Sequence, residues 1–503
     1  MTSIPSEVDL LVVGGGINGA GIARDAAGRG LKVLLCEQHD LAQHTSSASS
    51  KLVHGGLRYL EQFEFRLVRE ALKEREVLLR AAPHIVHPMR FVMPHVPELR
   101  PAWLIRAGLF LYDYLARRDT LPDSRAIDLS AGPYQSGLKP GLARGFIYSD
   151  CWVDDARLVI ANARAAADLG ATILPRTACL SVRREGPLWR ATLQGAQTAV
   201  ISARALINAA GPWAKEFINK NMSLDSVFNL RLVKGSHIVV PQLYAGTHAF
   251  ILQNDDRRVV FAYPYEQHYT LIGTTDVEHR GDPGACTISD VEVDYLCRAA
   301  NRYFNRTISA ADVAWRYSGV RPLFDDGAAK ASKITRDYTL RVEGDTAAAP
   351  VLSVFGGKIT TYRELAQQAM EKLKPWFPEM KANWTENSTL PGGELGGQSP
   401  EEYAQCLHRD RPEIPLKLLR TLACRHGSAA PEILQEAKSL NDLGEHFGHT
   451  LYASEVDYLT QREWALTADD ILWRRTKVGL HANSQQKQAL VHYLHSRTET
   501  PVQ

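Results

Sequence analysis

Three glycines near the N-terminus, Gly14, Gly16 and Gly19, have the spacing of a phosphate-binding turn. They follow the apolar run 8–13 and precede a segment rich in small residues, which predicts a strand, a tight turn and a helix. Such glycines permit the bend, the approach of a pyrophosphate and close helix packing. Glu37 ends the next apolar run, where its carboxylate can accept from ribose hydroxyls and disfavours a 2′-phosphate. The turn predicts a dinucleotide site but does not separate FAD from NAD.

Three later segments combine glycines with small, hydroxyl or basic residues. Residues 45–59 place five serine or threonine residues before a glycine pair, and residues 205–213 form an apolar run that ends in Ala-Ala-Gly. Residues 354–363 combine a strand end, a glycine pair and a helix start. Small residues allow close approach of a cofactor, and a helix N-terminus stabilises the negative charge of a reduced flavin. These segments favour FAD.

The same segments resemble those of the FAD-dependent glycerol-3-phosphate dehydrogenases, the respiratory type that feeds quinone, within the D-amino-acid-oxidase-like flavoproteins. The resemblance covers nearly the whole chain. The motifs that carry it are the serine-rich loop with HGGLRY at 54–59, SDCWVDDARL at 149–158, KGSH at 234–237, GTTD at 273–276, YSGVRPL at 317–323, GGK at 356–358 and DILWRRT at 470–476. The resemblance implies that the C2 alcohol of sn-glycerol 3-phosphate is oxidised to dihydroxyacetone phosphate, with hydride passing to flavin N5 and electrons to a membrane quinone.

The resemblance also implies roles for individual residues. Arg58, Arg321 and Lys358 are the candidates for the phosphate site, since a dianion needs cationic donors, and Arg321 is also a candidate for polarising the C2 oxygen. His54 is the candidate base because the pKa of imidazole suits proton transfer near neutrality. A flavin-contacting or core histidine is an equal alternative for His54, and His237 is a weaker candidate base.

Further residues are predicted to line the substrate or to contact FAD. The substrate candidates are Tyr59, Thr274 and Thr275, for which a structural role is an equal alternative. The residues predicted to contact FAD are Gly14, Gly15, Gly16, Asn18, Gly19, Glu37, Thr45, Ser46, Ser49, Ser50, Gly211, Gly356, Gly357, Lys358 and Thr360.

The organisation along the chain predicts an α/β protein, α+β overall. A Rossmann-like FAD-binding domain and a mixed-sheet substrate domain are interleaved over residues 1–390, and a helical domain follows over residues 391–503. The glycine-rich loop 390–397 predicts the boundary. The candidate elements are strands at 8–13, 31–36, 238–240, 259–263, 271–273 and 351–355, and a helix from Asn18 to about Arg29.

Composition excludes several classes of protein. A net charge of +2 in 503 residues does not indicate a nucleic-acid binder. Seven cysteines without a CxxC motif predict neither a disulfide framework nor a structural zinc site, and they favour a reducing cytoplasm. The N-terminus lacks the basic region of a secretory signal. No apolar stretch reaches the roughly 18–20 residues that a spanning helix needs.

A segment rich in aromatic and basic residues lies at 100–118, with its apolar part from Trp103 to Leu115. This mixture is typical of a helix that lies in the lipid interface, and a core helix is the equal alternative from periodicity alone. The resemblance to quinone-reducing enzymes favours membrane contact. We therefore expect a peripheral protein on the cytoplasmic face of the inner membrane, with glycerol 3-phosphate and quinone as partners. The sequence does not determine the oligomeric state, and a homodimer is one possibility.

Other functions remain open from the sequence. The first is a soluble oxidase that passes electrons from the same substrate to oxygen. The second is an amine or amino-acid oxidase with the same flavin fold, against which the cationic residues argue. The third is a flavin-binding sensor or membrane scaffold without turnover.

We expect Arg58→Ala to raise the KM for the phosphorylated substrate strongly and to leave FAD bound, because the resemblance assigns Arg58 to the phosphate. Steady-state kinetics and the flavin absorbance of the purified variant measure the two quantities. Unchanged kinetics would remove Arg58 from the phosphate site.

Overall fold

The computed structural model describes residues 4–96, 100–116, 118, 120–222, 228–256, 258–325, 337–344 and 348–499, without the side chains of residues 58, 498 and 499. The strands in these ranges are β1 Glu7–Val13, β2 Val33–Cys36, β3 Leu52–Val53, β4 Val86–Pro94, β5 Arg125–Asp128, β6 Arg144–Val153, β7 Thr172–Leu174, β8 Ala178–Glu185, β9 Leu188–Gln194, β10 Thr198–Asn208, β11 Leu230–Pro241, β12 Ala249–Gln253, β13 Val259–Tyr265, β14 Tyr269–Gly273, β15 Val277–Glu278, β16 Trp315–Phe324, β17 Thr339–Glu343 and β18 Val351–Phe355. The helices are α1 Ile17–Gly28, α2 Phe65–Ala81, α3 Ala102–Tyr114, α4 Asp155–Asp168, α5 Ala214–Glu216, α6 Asp290–Asn301, α7 Tyr362–Leu373, α8 Pro400–Asp410, α9 Leu416–His426, α10 Ala430–Leu434, α11 Ala453–Glu463 and α12 Ser484–Glu499.

The first sheet has the strand order β17-β18-β10-β1-β2-β7, with the β8–β9 hairpin joined to β10. Strands β18, β10, β1, β2 and β7 are parallel. Leu10 and Val12 of β1 pack in one core, where α1 contacts α4 and α7, whereas Leu11 and Val13 pack in a second core on the other face. Burial on both faces explains why β1 is a continuous apolar run. The predicted Rossmann-like fold is confirmed.

The opening βαβ unit differs from its sequence prediction at the ends of its elements. Strand β1 begins one residue earlier, at Glu7, and α1 spans Ile17–Gly28 and not Asn18 to about Arg29. The second strand begins at Val33 and not at Leu31. Gly30 has a left-handed φ of +92°, and the Leu31 amide donates to the Ala26 carbonyl at the end of α1. Leu31 therefore belongs to the turn that ends the helix.

The second sheet has the order β15-β11-β14-β13-β12-β4-β6-β3, with β16 beside β11 and β5 beside β6. Its β4–β12 pair is parallel and its other pairs are antiparallel, so the sheet is mixed, as predicted. Val260 and Ala262 of β13 face the core that includes α6, whereas Tyr263 and Tyr265 face α2 and α3. This alternation follows from the two-residue period of a strand.

The C-terminal part is helical. Helices α8 to α12 enclose a separate core that extends from Ala404 to Leu494, and residues 391–499, all of them described, contain no strand. The predicted helical domain is confirmed, and its boundary at residues 390 and 391 stays a prediction. Within the described ranges, every helix is too short or too polar to cross a bilayer.

Candidate active site

The N-terminal glycine turn lies where β1, β10 and α1 meet. Gly14 has a φ of +113°, and a Cβ atom on it would collide with the Ala209 carbonyl oxygen. A Cβ atom on Gly19 would collide with the carbonyl oxygen of Gly14. Both positions therefore require glycine, and α1 begins at Ile17, directly after the turn. The first amides of a helix have no partner within the helix. A helix N-terminus of this kind suits a pyrophosphate.

Glu37 and Ser46 lie next to this turn. Glu37 Oε2 accepts from the Gly15 amide at 2.7 Å, and its Oε1 accepts from the His39 amide at 2.8 Å. Burial raises the pKa of the Glu37 carboxyl. Ser46 Oγ accepts from the Ile17 amide at 3.0 Å. An acid at the end of β2 and a hydroxyl at the N-terminus of α1 fit the ribose and the phosphates of the ADP half of FAD.

A second glycine turn lies opposite the first. Gly356 and Gly357 have φ values of +77° and +101°, and the Asn18 amide Nδ2 donates to the Gly356 carbonyl at 3.1 Å. Asn18 Oδ1 is buried without a hydrogen-bond partner among the described residues, which fits an acceptor for a polar cofactor group. Thr360 Oγ1 accepts from the His54 amide at 3.3 Å. The residues from both glycine turns therefore fit FAD.

The serine-rich loop is held by a buried ion pair that the sequence interpretation missed. Lys51 Nζ lies 2.7 Å from Asp155 Oδ1, and both side chains are fully buried. Lys51 Nζ also donates to the Ser47 carbonyl at 3.0 Å, and Ser49 Oγ donates to Asp155 Oδ2 at 2.7 Å. The signal in the sequence was the acid pair at 154–155 before an apolar helix, which is typical of a helix start.

Thr45 and Ser50 anchor the same loop to the second sheet. Thr45 Oγ1 donates to the Val320 carbonyl at 2.7 Å, and Ser50 Oγ lies 3.0 Å from His237 Nε2. Burial, and then the cations Arg321 and Lys51, lower the pKa of His237 well below its usual value. His237 is therefore neutral at neutral pH and engaged with Ser50.

A cavity of about 750 Å³ lies between the two sheets. The predicted site residues that line it are Thr45, Ser46, Ser49, Ser50, His54, Tyr59, Thr274, Arg321, Gly357, Lys358 and Thr360. The predicted residues in the two glycine turns, at the start of α1 and after β2 are Gly14, Gly15, Gly16, Asn18, Gly19, Glu37 and Gly356, whereas Gly211 begins the turn after β10. The predicted Arg58 side chain lies outside the described residues.

Two cations face this cavity from different sheets. Arg321 on β16 donates from Nη2 to Thr274 Oγ1 at 3.2 Å, and its Nη1 lies 3.4 Å from Asp276 Oδ1. Lys358, which follows β18, holds its Nζ 4.0 Å from the centre of the Tyr59 ring. An anion that enters the cavity meets both charges, and the arginine can bind it through two N–H groups.

Thr275 differs from its neighbour Thr274. Thr275 Oγ1 donates to Glu292 Oε1 at 2.8 Å and accepts from the Ser236 amide at 3.0 Å. The side chain is buried and does not line the cavity among the described residues. Of the two alternatives for Thr275, these contacts favour the structural one.

Helix α3 forms the apolar end of the cavity. Leu104, Ile105 and Leu111 line the wall, whereas Trp103 and Tyr114 are 72% and 69% exposed. The helix is therefore not a fully buried core helix. Two basic residues in or before the helix have partners: Arg100 Nε lies 2.7 Å from Glu61 Oε1, and Arg106 Nη1 in α3 donates to Ser124 Oγ at 3.0 Å.

Comparisons with known proteins agree with this geometry. The family described as FAD dependent oxidoreductase matches residues 9–363, and the family described as the C-terminal domain of alpha-glycerophosphate oxidase matches residues 383–495. The chain is 51% identical to the aerobic glycerol-3-phosphate dehydrogenase of Escherichia coli K12, over 98% of each chain. It is also 51% identical to the D-erythritol 1-phosphate dehydrogenase of Brucella abortus, over 97% of this chain and 98% of that protein.

A solved structure supports the same relationship. The glycerol-3-phosphate dehydrogenase of Bacillus halodurans, complexed with FAD, superposes with a TM-score of 0.77 at 26% identity, over 98% of this chain and 92% of that one. The matches extend over nearly the whole chain and include both the FAD-binding part and the helical C-terminal part. The chain therefore belongs to the FAD-dependent oxidoreductases and, within them, to the glycerol-3-phosphate dehydrogenases.

Proposed function

We propose that the protein oxidises sn-glycerol 3-phosphate to dihydroxyacetone phosphate with FAD and passes the electrons to a membrane quinone. The observation that carries this proposal is that Arg321 and Lys358 face one cavity together with His54 and Gly357 of the second glycine turn. The cavity thus combines cationic donors for a phosphate, a titratable group and a flavin site. The family relationship with glycerol-3-phosphate dehydrogenases supports the choice of substrate.

Arg321 and Lys358 are proposed to bind the phosphate, together with Arg58. Arg321 already has a fixed orientation, because Thr274 and Asp276 accept from its two terminal nitrogens. Charge-assisted hydrogen bonds to a phosphate are roughly twice as strong as neutral ones. These contacts hold the substrate so that its C2 carbon and hydroxyl lie next to the reacting groups.

His54 is proposed to accept the proton of the C2 hydroxyl. It lines the cavity, and the hydrogen bond from its amide to Thr360 fixes the backbone at this point. His237 is less suited, because it lies outside the described cavity lining and its Nε2 is engaged with Ser50. Proton transfer to a positioned imidazole contributes typically 10²–10⁴-fold to a rate.

FAD, when bound, supplies the acceptor for the hydride that leaves C2. The residues proposed to hold it are those of the two glycine turns, Glu37 and the serine-rich loop. The turn at 359–361 leads into α7, so its backbone amides and the helix dipole favour negative charge on a reduced ring. Leu57 and Phe261 add apolar walls that exclude water from the reacting atoms.

Helix α3 is proposed to contact the membrane and to admit quinone. Its cavity face is apolar, and on its other side Trp103, Phe110 and Tyr114 are exposed. Phe63, at 78% exposure, adds a further ring from the preceding segment. Aromatic and aliphatic side chains of this kind insert into the lipid interface, next to the apolar bilayer interior that dissolves a quinone. We propose the cytoplasmic face of the inner membrane as the location.

D-Erythritol 1-phosphate is a second candidate substrate. The chain is as similar to the Brucella abortus D-erythritol 1-phosphate dehydrogenase as to the aerobic glycerol-3-phosphate dehydrogenase of E. coli. Both compounds are phosphorylated polyols, so the proposed cationic site would bind either one. Oxygen stays the alternative to quinone as the electron acceptor, in which case the protein would be an oxidase.

Anaerobic reduction of the bound flavin tests the proposed function. We expect glycerol 3-phosphate to bleach the flavin absorbance of the holoenzyme and unphosphorylated glycerol to leave it unchanged, because glycerol lacks the group that the two cations bind. Stopped-flow spectroscopy measures the bleaching rates, and the same assay with D-erythritol 1-phosphate decides between the two phosphorylated substrates. An unchanged spectrum with both phosphates would rule out the proposed enzyme.

Gly235→Ala tests the orientation of Arg321. A Cβ atom on Gly235 would collide with Arg321 Nη2 and would lie 2.7 Å from Thr274 Oγ1, so the guanidinium must move. We expect the KM for glycerol 3-phosphate to rise about tenfold or more, from the loss of a charge-assisted contact, with FAD still bound. Gly284→Ala is the control, because its nearest neighbours are at 3.4 Å. A KM like that of the control would argue against Arg321 at the phosphate.

Vesicle sedimentation tests the membrane contact. We expect the protein to sediment with phosphatidylglycerol vesicles, and Trp103→Ser with Phe110→Ser to weaken binding at least about tenfold, since burying one such side chain contributes about 1.5–3 kcal/mol. Reduction of a soluble dye should not change. Val291→Ser is the control, because Val291 is equally exposed (75%) but lies on α6. Wild-type protein that ignores both anionic and neutral vesicles would refute the contact.

A further inference from the structure

A buried ion pair joins the C-terminal helical domain to the FAD-binding domain. Arg475 Nη1 lies 2.7 Å from Asp40 Oδ2, and Arg475 Nη2 lies 2.9 Å from Asp40 Oδ1, so the contact is bidentate. Arg474 Nε donates to the same carboxylate at 2.5 Å. The Asp40 and Arg475 side chains are fully buried. One carboxylate of the FAD-binding domain therefore binds two consecutive arginines of the helical domain.

Arg475 is also fixed within its own domain. Its Nη2 and Nε donate to the Glu463 carbonyl at 2.7 and 3.2 Å, at the end of α11. The Glu463 carboxylate in turn binds Arg157 Nη2 at 2.9 Å, in α4 of the FAD-binding domain. The guanidinium of Arg475 thus connects a helix end in one domain with a carboxylate in the other, and it has little freedom to move.

Asp40 lies in the segment that connects the two predicted cofactor contacts Glu37 and Ser46. Its amide donates to Gln43 Oε1 at 3.1 Å, and the Ala42 amide donates to the Gly15 carbonyl at 3.1 Å. The position of Asp40 therefore sets the path by which the chain leaves Glu37 and returns to the N-terminus of α1.

The other end of the serine-rich loop is tied to the same C-terminal segment. Lys51 pairs with Asp155, and the neighbouring Asp154 has its Oδ1 3.3 Å from Lys477 Nζ. Lys477 is two residues beyond Arg475 in the sequence. The loop from Asp40 to Lys51 is therefore held at both ends by contacts that reach residues 474–477.

We propose that the helical domain positions the loop from Asp40 to Lys51 through the Asp40–Arg475 pair and thereby sets the affinity for FAD. Arg475 is a positioning residue in this proposal, since it acts through Asp40 and touches neither substrate nor flavin. The proposal rests on the proposed role of residues 37–51 in cofactor binding. The pair keeps Glu37 and Ser46 at the distances that the ribose and the phosphates require, before FAD arrives.

FAD affinity of the full-length protein tests this proposal with Asp40→Asn, Arg475→Lys and Arg475→Met. FAD release from the holoenzyme on dilution is followed by flavin fluorescence, and FAD is then titrated back. We expect Asp40→Asn and Arg475→Met to weaken FAD binding about tenfold or more, and Arg475→Lys to restore part of the loss because it keeps the charge. The double variant Asp40→Asn/Arg475→Met should bind FAD no more weakly than the single variant that has the lower FAD affinity, since the two residues act as one pair.

The matched control is Arg420→Ala, which removes an exposed ion pair with Glu401 inside the same helical domain. We expect this control to bind FAD like the wild type. At saturating FAD, the KM for glycerol 3-phosphate should stay within about twofold of wild type in all folded variants, because Arg321 and Lys358, the proposed phosphate ligands, are not displaced.

Two outcomes would overturn the proposal. In the first, Asp40→Asn and Arg475→Lys fold and bind FAD as tightly as the wild type. In the second, thermal stability falls in these variants while FAD affinity stays constant, which would make the pair purely structural. If Arg475→Met does not fold, the FAD affinities of Asp40→Asn and Arg475→Lys still test the proposal. Failure of the proposed function is distinguishable, because the wild-type holoenzyme would then keep its flavin but not bleach with glycerol 3-phosphate.

Discussion

The buried ion pair between Lys51 and Asp155 is the contact on which the site depends. Asp155 begins α4, which packs on the first sheet, and Lys51 precedes β3 of the second sheet. The pair therefore joins the two sheets where the serine-rich loop passes between them. Removing one partner of a buried pair typically costs about 3–5 kcal/mol, because the other charge stays buried without compensation. Ser49 completes the hydrogen bonding of Asp155, so the loop and the pair stabilise each other.

The polarity of the cavity follows from this arrangement. Its cationic end is formed by Arg321 and Lys358, which arrive from the two sheets, and its apolar end is formed by α3. The proposed phosphate site and the proposed quinone entrance therefore have different surroundings within one cavity. Exposed rings such as Trp103 lie on the same helix as the apolar wall, so the proposed membrane contact and the cavity share one element.

The N-terminal turn could be predicted from the sequence because its three glycines and Glu37 lie within residues 14–37, where spacing determines geometry. The meeting of Arg321 and Lys358 could not be derived from spacing, since Arg321 lies on β16 of the second sheet and Lys358 follows β18 of the first. Only the family motifs indicated it. The Asp40–Arg475 pair could not be derived from spacing either, because 435 positions separate the two residues. The motif DILWRRT at 470–476 contains Arg475 but does not identify Asp40 as its partner. Sequence thus predicts local turns well and contacts between domains poorly.

The strand order of the first sheet has a consequence for synthesis of the chain. Leu11 of β1 pairs with Leu206 of β10, and Leu206 pairs in turn with Val351 of β18. The central strand therefore emerges from the ribosome long before its neighbours on that side exist. Contacts so distant along the chain form slowly, and until they form, the edge of β1 that later pairs with β10 has no hydrogen-bonded neighbour. The FAD-binding domain, which begins at the N-terminus, is therefore one of the last parts of the molecule to be completed.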